Sequence, residues 1–346
     1  MASQDAPTKA KVAILSLGDM GSGIARLLAA RGFPVATNCE GRSADTAERA
    51  RTCGAALFKS DLELVDWADV VLSVVPPRDA AATLQRVLDA MAFSKTHAPA
   101  AAAAEGSGRP LYFADMNAVS PATCRRMAAD VARTRVPLLF IDGCILGGPP
   151  APKKGGEGRA EEKGEGEGDE WAVPLMPTSG PRSFASLGDA LGGPLLESTL
   201  RARHISADVG AASGLKMCFA SLSKGFSAIA VQTYTTAHRL GVLGDLEWAL
   251  GELAPARARQ AASAITSMPP KAYRWVHEME EISDTHAADG GFDPFIFQGA
   301  AAVFRAVAQD TVLGQEKVGQ RKRGLTVQDV AEAMSEGMDR KRKKTD

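Results

Sequence analysis

The chain has 346 residues, of which 45% are hydrophobic and 23% charged, values typical of a globular protein with about two domains. Its 40 basic and 41 acidic residues leave a formal charge of −1, which argues against a nucleic-acid partner because such proteins usually carry a basic domain or stripe. No apolar run approaches the roughly 18 residues that cross a membrane, and the polar first segment lacks the apolar stretch of a signal peptide. The five cysteines are scattered and never form a CxxC pair, so we expect no disulfide, no bound metal and a reducing, cytoplasmic location.

Short apolar runs alternate with helical segments over the first 200 residues. Lys11–Leu17 is predicted as the first strand, and Met20–Arg31 as a helix with apolar residues on one face. Further strands are predicted at Pro34–Thr37, Trp67–Val75, Leu111–Asp115 and Val136–Asp142, and helices at Ser43–Thr52 and Pro121–Arg133. This alternation indicates parallel strands joined by crossover helices.

A segment of low complexity interrupts this pattern. Ala151–Glu170 contains six glycines, six glutamates and no apolar residue larger than alanine. Such a segment cannot bury enough surface to offset its ordering entropy. We therefore predict a disordered insertion at residues 151–170, inside a first domain of residues 1–205.

The pattern becomes helical from about Ser206. A long helix is predicted at Gly210–Arg239, and five more follow near Gly244–Leu253, Arg257–Thr266, Lys271–Ala287, Phe295–Ala308 and Thr326–Met338. The sequence thus predicts an all-helical second domain at 206–338. The basic residues at 339–346 are interpreted as a solvated tail rather than a localisation signal.

The turn after the first predicted strand has the composition of a phosphate-binding turn. The hexapeptide SLGDMG at residues 16–21 lies between a strand and a helix, where an α/β fold of the Rossmann type carries GxGxxG. Gly18 would let the backbone approach a pyrophosphate at the helix N-terminus, and Gly21 would let helix and strand pack closely. The alternative is a tight turn whose glycines serve packing only. We predict that the dinucleotide is bound by Leu17, Gly18, Asp19, Met20 and Gly21.

The residues after the second predicted strand bear on the choice of nicotinamide cofactor. An acidic residue at this position binds the 2′-hydroxyl of NAD, whereas an arginine favours the 2′-phosphate of NADP. Arg42 offers a planar guanidinium and Ser43 a hydroxyl, while Glu40 would suit a ribose. We favour NADP, with NAD as the alternative. Arg42 and Ser43 could also form an ordinary solvated helix cap.

Five segments, in order along the chain, resemble the β-hydroxyacid dehydrogenase superfamily, which includes 6-phosphogluconate and 3-hydroxyisobutyrate dehydrogenases and, as relatives, imine reductases. They are residues 16–21, VVLSVVPP at 70–77, DMNAVSP at 115–121, DGCILGG at 142–148 and DVGAASGLK at 208–216. The sequences DMNAVSP, DGCILGGPP and KMCFASLSKG resemble those of one branch of this superfamily. In that branch a 6-phosphogluconate-dehydrogenase-like NAD-binding domain precedes its own type of helical C-terminal domain.

This resemblance implies an NADP-dependent oxidoreductase that transfers hydride to or from a small hydroxy- or oxo-acid or a related carbonyl compound. It implies that Val75, Pro76 and Asn117 contact the cofactor. It also implies that Gly147 and Gly148 allow close backbone contact with a substrate carboxylate. The helical domains of this superfamily usually pair, so a homodimer is expected.

The resemblance assigns general acid–base catalysis to Lys216. On a regular helix Lys216 shares a face with residues 212, 220 and 224, and partial burial would lower its pKa toward neutrality. The alternative is a lysine that extends along a domain edge. Lys224 or Arg274 could supply the counter-charge for a substrate carboxylate, and the alternative for each is a surface cation.

Several positions depart from the family pattern. Ala220 and Leu146 stand where the family has asparagine and serine, so neither known substrate is carried over. An imine reductase is a second hypothesis, against which Lys216 counts because aspartate or tyrosine often holds that position. A catalytically silent NADP-binding scaffold or sensor is a third. His277 and the glutamates at 278, 280 and 281 are interpreted as a solvated helix rather than a metal site.

Overall fold

The computed structural model describes residues 9–39, 44–97, 109–153, 171–317 and 320–345. The chain forms two compact units, Met1–Lys216 and Met217–Asp346. The sequence pattern placed this boundary earlier, between residues 205 and 206. The difference arises because the backbone at 210–213 is hydrogen-bonded to a strand of the first unit.

The first unit is built around an eight-stranded sheet. The strands of the chain are β1 (Val12–Leu15), β2 (Val35–Asn38), β3 (Ala56–Phe58), β4 (Val70–Ser73), β5 (Leu111–Asp115), β6 (Leu138–Gly143), β7 (Ala151–Pro152), β8 (Trp171–Ala172), β9 (Met176–Ser179) and β10 (Ala202–Ser206). Their order in the sheet is β10-β9-β6-β5-β4-β1-β2-β3, and every pair is parallel except β6–β9. The run β3-β2-β1-β4-β5-β6 is the order of a doubly wound dinucleotide-binding sheet, so the predicted Rossmann-type fold is confirmed.

Helices cover both faces of this sheet. They are α1 (Asp19–Ala30), α2 (Ala44–Thr52), α3 (Asp61–Trp67), α4 (Ala80–Met91), α5 (Pro121–Thr134) and α6 (Gly193–Thr199). Successive side chains of β1 point to opposite faces, so Ile14 joins the apolar cluster that contains Leu28 of α1, and Leu15 joins the one that contains Leu84 of α4. Burial on both sides explains why β1 is a continuous apolar run.

The segment predicted as an insertion is bounded by a hairpin. β7 and β8 pair antiparallel, with Ala151 opposite Ala172 and Pro152 opposite Trp171. The first two residues assigned to the insertion therefore belong to a strand. Residues 154–170 lie outside the described part of the chain.

The described residues of the second unit form helices joined by loops, with no strand among them, as predicted. After α7 (Ala211–Ala220), which crosses the boundary, come a π-helical turn at Ser221–Gly225, α8 (Phe226–Leu240), α9 (Leu243–Leu253), α10 (Pro255–Ser267), α11 (Ala272–Ala288), α12 (Phe295–Asp310) and α13 (Val327–Thr345). α13 continues through most of the residues predicted to form a separate basic tail. Within the described ranges, no helix combines the length and apolar character needed to cross a membrane.

The π-helical turn changes the register of the long helix that the sequence predicts at Gly210–Arg239. A π turn closes its hydrogen bonds one residue later than an α turn. The expectation that residues 212, 216, 220 and 224 share one face is therefore wrong beyond Ala220. Because small residues stand on both sides of this turn, the spacing of apolar residues does not distinguish an α-helical from a π-helical turn here.

Candidate functional site

The turn between β1 and α1 leaves the helix N-terminus open. Gly18 is the N-cap residue and no side chain caps the helix, so its first amides are available to an anion. A Cβ atom at Gly18 would meet no atom within 4 Å, whereas one at Gly21 would lie 2.0 Å from the Ser16 carbonyl oxygen. Gly21 is thus required for packing, and the space at Gly18 is free for a phosphate. Leu17 is buried, so only its backbone is available at this turn.

The turns after β1 and β4 lie side by side at the carboxyl edge of the sheet. β1 and β4 are parallel neighbours, and the Ser16 amide donates to the Val74 carbonyl at 3.2 Å. The chain leaves β1 toward β2 on one side and leaves β4 toward β5 on the other. Ligands of doubly wound sheets bind at such a switch point. Val75 and Pro76, which follow β4, stand at this point.

Asn117 holds the turn after β4 in place. Its Oδ1 accepts the Val75 amide hydrogen at 2.7 Å, while its Nδ2 donates to Ser73 Oγ at 2.9 Å and to Asp115. Both amide hydrogens are thereby used and the side chain is only 3% exposed. Asn117, predicted as a cofactor contact, therefore has the geometry of a residue that positions the Val75 backbone.

Asp115 and Asp142 lie opposite each other at the ends of β5 and β6. Both are fully buried. The pKa of Asp115 is raised to about 7, chiefly by burial; the hydrogen bond from Asn117 opposes this shift and the Asp142 charge adds to it. One Asp115 oxygen, Oδ2, has no hydrogen-bond partner among the described residues. Asp115 is thus mostly protonated below about pH 7 and mostly ionised above it.

Asp142 anchors the N-terminus of α7. Its Oδ2 accepts from Ser179 Oγ at 2.7 Å and from the amides of Gly210, Ala212 and Ser213 at 2.8, 3.2 and 3.3 Å. Its Oδ1 accepts from Ser213 Oγ at 2.6 Å. A carboxylate at this end of a helix is favoured by the orphan amides and by the helix dipole. In the sequence Asp142 stands out only as the first residue of the segment DGCILGG at 142–148, and nothing there indicates this function.

Lys216, on the same helix, points at that loop. Its Nζ donates to the Ile145 carbonyl at 2.5 Å, and its side chain is half-buried. Burial raises the pKa of the Cys144 thiol to about 12, while the nearby Lys216 charge opposes this shift. The loop continues through Gly147, whose φ is +137°, and Gly148, where a Cβ would meet no atom within 4 Å. The Lys216 ammonium therefore lies at the loop that contains the accessible backbone of Gly147 and Gly148.

Arg49, which the sequence pattern did not single out, also lies in this region. Arg42 and Ser43 lie outside the described residues, but Arg49 of α2 donates from Nε to the Leu17 carbonyl at 3.1 Å and from Nη2 to Thr46 Oγ1 at 3.0 Å. It is exposed and, in the described parts of the chain, pairs with no carboxylate. Its remaining N–H groups are available at the phosphate-binding turn.

Lys224 lies in a buried ionic cluster of the second unit. Its ammonium pairs with Glu278 and lies 5.4 Å from the centroid of the Trp275 ring. Glu278 and Glu281 are 8% and 9% exposed, so the expectation of a solvated helix is wrong for these two residues. Glu278 tolerates burial because Lys224 neutralises it. His277 lies 3.6 Å from Glu281.

Comparisons with known proteins agree with this architecture. Residues 11–95 match the family described as NADP oxidoreductase, coenzyme F420-dependent, and residues 237–307 match a domain of unknown function, DUF1932. No curated protein matches the chain in sequence.

Solved structures similar to the chain cover nearly its whole length. The conserved protein MTH1747, described as structurally similar to 3-hydroxyacid dehydrogenases, is 26% identical over 86% of this chain and 96% of that one, with a TM-score of 0.55. The 3-hydroxyisobutyrate dehydrogenase of Mycobacterium tuberculosis is 19% identical over 94% of this chain and 99% of that one, with a TM-score of 0.59. The Salmonella typhimurium enzyme of that name is 18% identical over the same shares, with a TM-score of 0.58. The chain therefore matches the model of the NADP oxidoreductase, coenzyme F420-dependent, family in its N-terminal part and the DUF1932 model in its C-terminal part, and it has the fold of the 3-hydroxyisobutyrate dehydrogenases and their structural relatives.

Proposed function

We propose that the protein is an NADP-dependent oxidoreductase that transfers hydride to or from a small hydroxy- or oxo-acid or a related carbonyl compound. The observation that carries this proposal is the direction of Lys216, whose ammonium donates to the loop of Gly147 and Gly148. That loop belongs to the same unit as the open phosphate-binding turn. A proton donor, an accessible backbone loop for the substrate and a dinucleotide turn are the parts that this reaction requires.

The cofactor is held, in this proposal, at the N-terminus of α1. The uncapped amides and the open space at Gly18 fit a pyrophosphate. Arg42, Ser43 and Arg49 bind the 2′-phosphate, for which a guanidinium is well suited. When bound, the nicotinamide supplies or accepts the hydride. Val75 and Pro76 form the adjoining wall, and Asn117 fixes their backbone.

Lys216 holds the transferable proton at Nζ. A substrate oxygen that reaches Nζ accepts this proton during reduction and returns it during oxidation. Asp142 fixes the start of the helix that carries Lys216, and the backbone of Gly147 and Gly148 receives the substrate carboxylate. We do not assign that carboxylate to Lys224, because its ammonium is already paired with Glu278.

A substrate screen tests the reaction. Hydroxy acids are offered with NADP, and oxo acids and cyclic imines with NADPH, while cofactor absorbance is followed. We expect turnover of a hydroxy- or oxo-acid that is lost in Lys216→Met and retained in Lys95→Met, an exposed lysine of the same unit. Turnover of imines alone would instead identify an imine reductase. NADPH binding without turnover of any compound would identify a silent cofactor-binding protein.

A homodimer is part of the proposal. The second unit exposes large apolar side chains, as expected for a surface covered in an oligomer: Leu222 (79%), Ile229 (60%), Leu240 (71%), Trp248 (69%), Leu253 (86%), Phe295 (71%) and Ile296 (74%). Light scattering coupled to size exclusion is expected to give twice the 36.2 kDa chain mass. A monomer at micromolar concentration would contradict this.

A cytoplasmic location is also proposed. All five cysteines are free thiols, and three of them, Cys53, Cys124 and Cys144, are buried. Free thiols persist in a reducing compartment. Fractionation of cells that express the tagged protein is expected to recover it with cytoplasmic markers.

A further inference from the structure

Three cationic side chains meet in the second unit without an acidic partner. Lys271 ends the helical turn Pro269–Lys271, and Arg274 follows one turn later on α11, so the two side chains are neighbours on the helix surface. Arg321 approaches from the loop before α13. Burial lowers the pKa of Lys271, and the charges of Arg274 and Arg321 lower it further. No carboxylate among the described residues offsets this repulsion.

The loop that carries Arg321 is held firmly against the Pro269–Lys271 turn. Arg321 Nη2 donates to the Gly324 carbonyl, and the position of a Cβ at Gly324 lies 3.1 Å from Pro269 Cγ and 3.3 Å from Arg321 Nη2. Gly324, with φ +69°, therefore lets the loop and the turn touch. Arg321 Nε is buried and has no partner among the described residues. The backbone thus brings Arg321 against the turn that ends at Lys271.

The acidic residues of the same region are used elsewhere. Asp329 pairs with Arg323 at 2.7 Å and also accepts the Gly324 amide. Glu316 accepts the Lys322 amide at 2.6 Å. These carboxylates hold the loop in shape. Positive charges kept together at an energetic cost, with an unused buried donor among them, indicate that a ligand supplies the missing negative charge.

We propose that Lys271, Arg274 and Arg321 form a binding site for the phosphate group of a small molecule. A phosphate carries up to two charges and presents oxygens to guanidinium groups in pairs, whereas a carboxylate carries a single charge. Lys271 and Arg321 are only half-exposed, so the site suits a compact group rather than an extended polyanion. This site is formed by the second unit and is independent of the cofactor turn, which the first unit forms.

Inorganic phosphate titrated into the full-length protein tests this site. NADPH is present in excess, so that phosphate does not report on the cofactor turn, and chloride keeps the ionic strength constant. The variants are Lys271→Met and Arg274→Gln. Arg259→Gln, an exposed arginine on α10 without a described contact, is the control with the same loss of charge. Calorimetry gives the dissociation constant, and thermal unfolding is measured with and without phosphate.

We expect the wild type and Arg259→Gln to bind phosphate equally, and Lys271→Met and Arg274→Gln to bind it about tenfold more weakly or worse, the usual loss for one charge-assisted contact. Without phosphate, Arg274→Gln is expected to be as stable as the wild type or more so, because repulsion is relieved. With phosphate, the wild type is expected to be the more stable of the two. Phosphate binding that chloride reproduces, or that all four proteins share, would overturn the proposal. A loss of stability in Arg274→Gln that phosphate does not change would also overturn it.

Discussion

Replacing Asp142 tests whether this buried carboxylate organises the start of α7. Asp142→Ala removes the acceptor of two hydroxyls and of the amides of Gly210, Ala212 and Ser213. The Ala212 amide also reaches Ser179 Oγ at 3.0 Å, so it keeps a partner. Two buried amides then lose this acceptor, at about 1–3 kcal/mol each. We expect a loss of about 2–6 kcal/mol, a large part of the stability of a typical domain.

Asp142→Asn separates charge from hydrogen bonding. The asparagine keeps one oxygen as an acceptor, and Ser213 Oγ can turn its proton away and accept from the new amide. Only the charge-assisted part of the interaction is lost, so we expect about 1–3 kcal/mol. The control is Asp208→Ala, which removes an exposed carboxylate two residues before Gly210 and is expected to cost less than about 0.5 kcal/mol.

Urea unfolding followed by circular dichroism measures these losses, with hydrogen exchange of the Gly210 and Ser213 amides as a local readout. The expected order of stability is wild type and Asp208→Ala, then Asp142→Asn, then Asp142→Ala. If Asp142→Ala unfolds at the wild-type urea concentration and its amides remain protected, α7 does not depend on Asp142 and the reasoning is refuted.

Three further predictions follow from the N-terminal unit. Lys216→Met is expected to lower turnover by about 100- to 10,000-fold, with NADPH affinity within a few-fold; near-normal turnover would remove Lys216 from the reaction. Arg42→Ala and Arg49→Gln are each expected to weaken NADPH binding by about tenfold and NADH binding much less. The control is Arg51→Gln, which removes an arginine that is paired with an acid and is expected to weaken the binding of neither cofactor. Equal losses for both cofactors would contradict the 2′-phosphate assignment. Burial raises the pKa of Asp115 to about 7, so its folded form binds the proton more tightly and its contribution to stability falls as pH rises. The free energy of unfolding of Asp115→Asn, relative to the wild type, should therefore rise by about 1.4 kcal/mol for each pH unit between about pH 4 and 7 and stay constant above pH 7. If the two proteins give parallel curves of stability against pH, Asp115 does not titrate in this range.

The sequence predicted those parts of the fold that local pattern determines. The β1 strand, the turn through Gly18 and Gly21, and α1 follow one another as hydrophobic period and glycine spacing require. β9 and β10 were not predicted as separate strands. β9 contains Pro177 and two polar residues, and three of the five residues of β10 are exposed, so these strands take their place from pairing at the sheet edge rather than from their own composition.

Candidate site residues could be predicted where a residue stands at a fixed position of a motif. The resemblance identified Lys216 because it stands at the start of a helix in a known order of segments. The ionic partners were not predictable, since Lys224 and Glu278 are distant in sequence and only the packed helices bring them together. Asn117 shows the same limit. The motif identified its segment, but its side-chain amide donates to Ser73, which is 44 positions away in the sequence, and to Asp115. These contacts exist only in the folded sheet.

The β7–β8 hairpin makes residues 153–170 a place where foreign sequence can be added. Pro152 and Trp171 are cross-strand partners, so the two ends of the intervening segment are held side by side whatever lies between them. Closing a longer loop between fixed ends costs only about 0.6 kcal/mol for each doubling of its length. A fluorescent domain or an affinity tag with adjacent termini could be inserted here without extending either end of the chain. Such a fusion would give a reporter for purification and imaging.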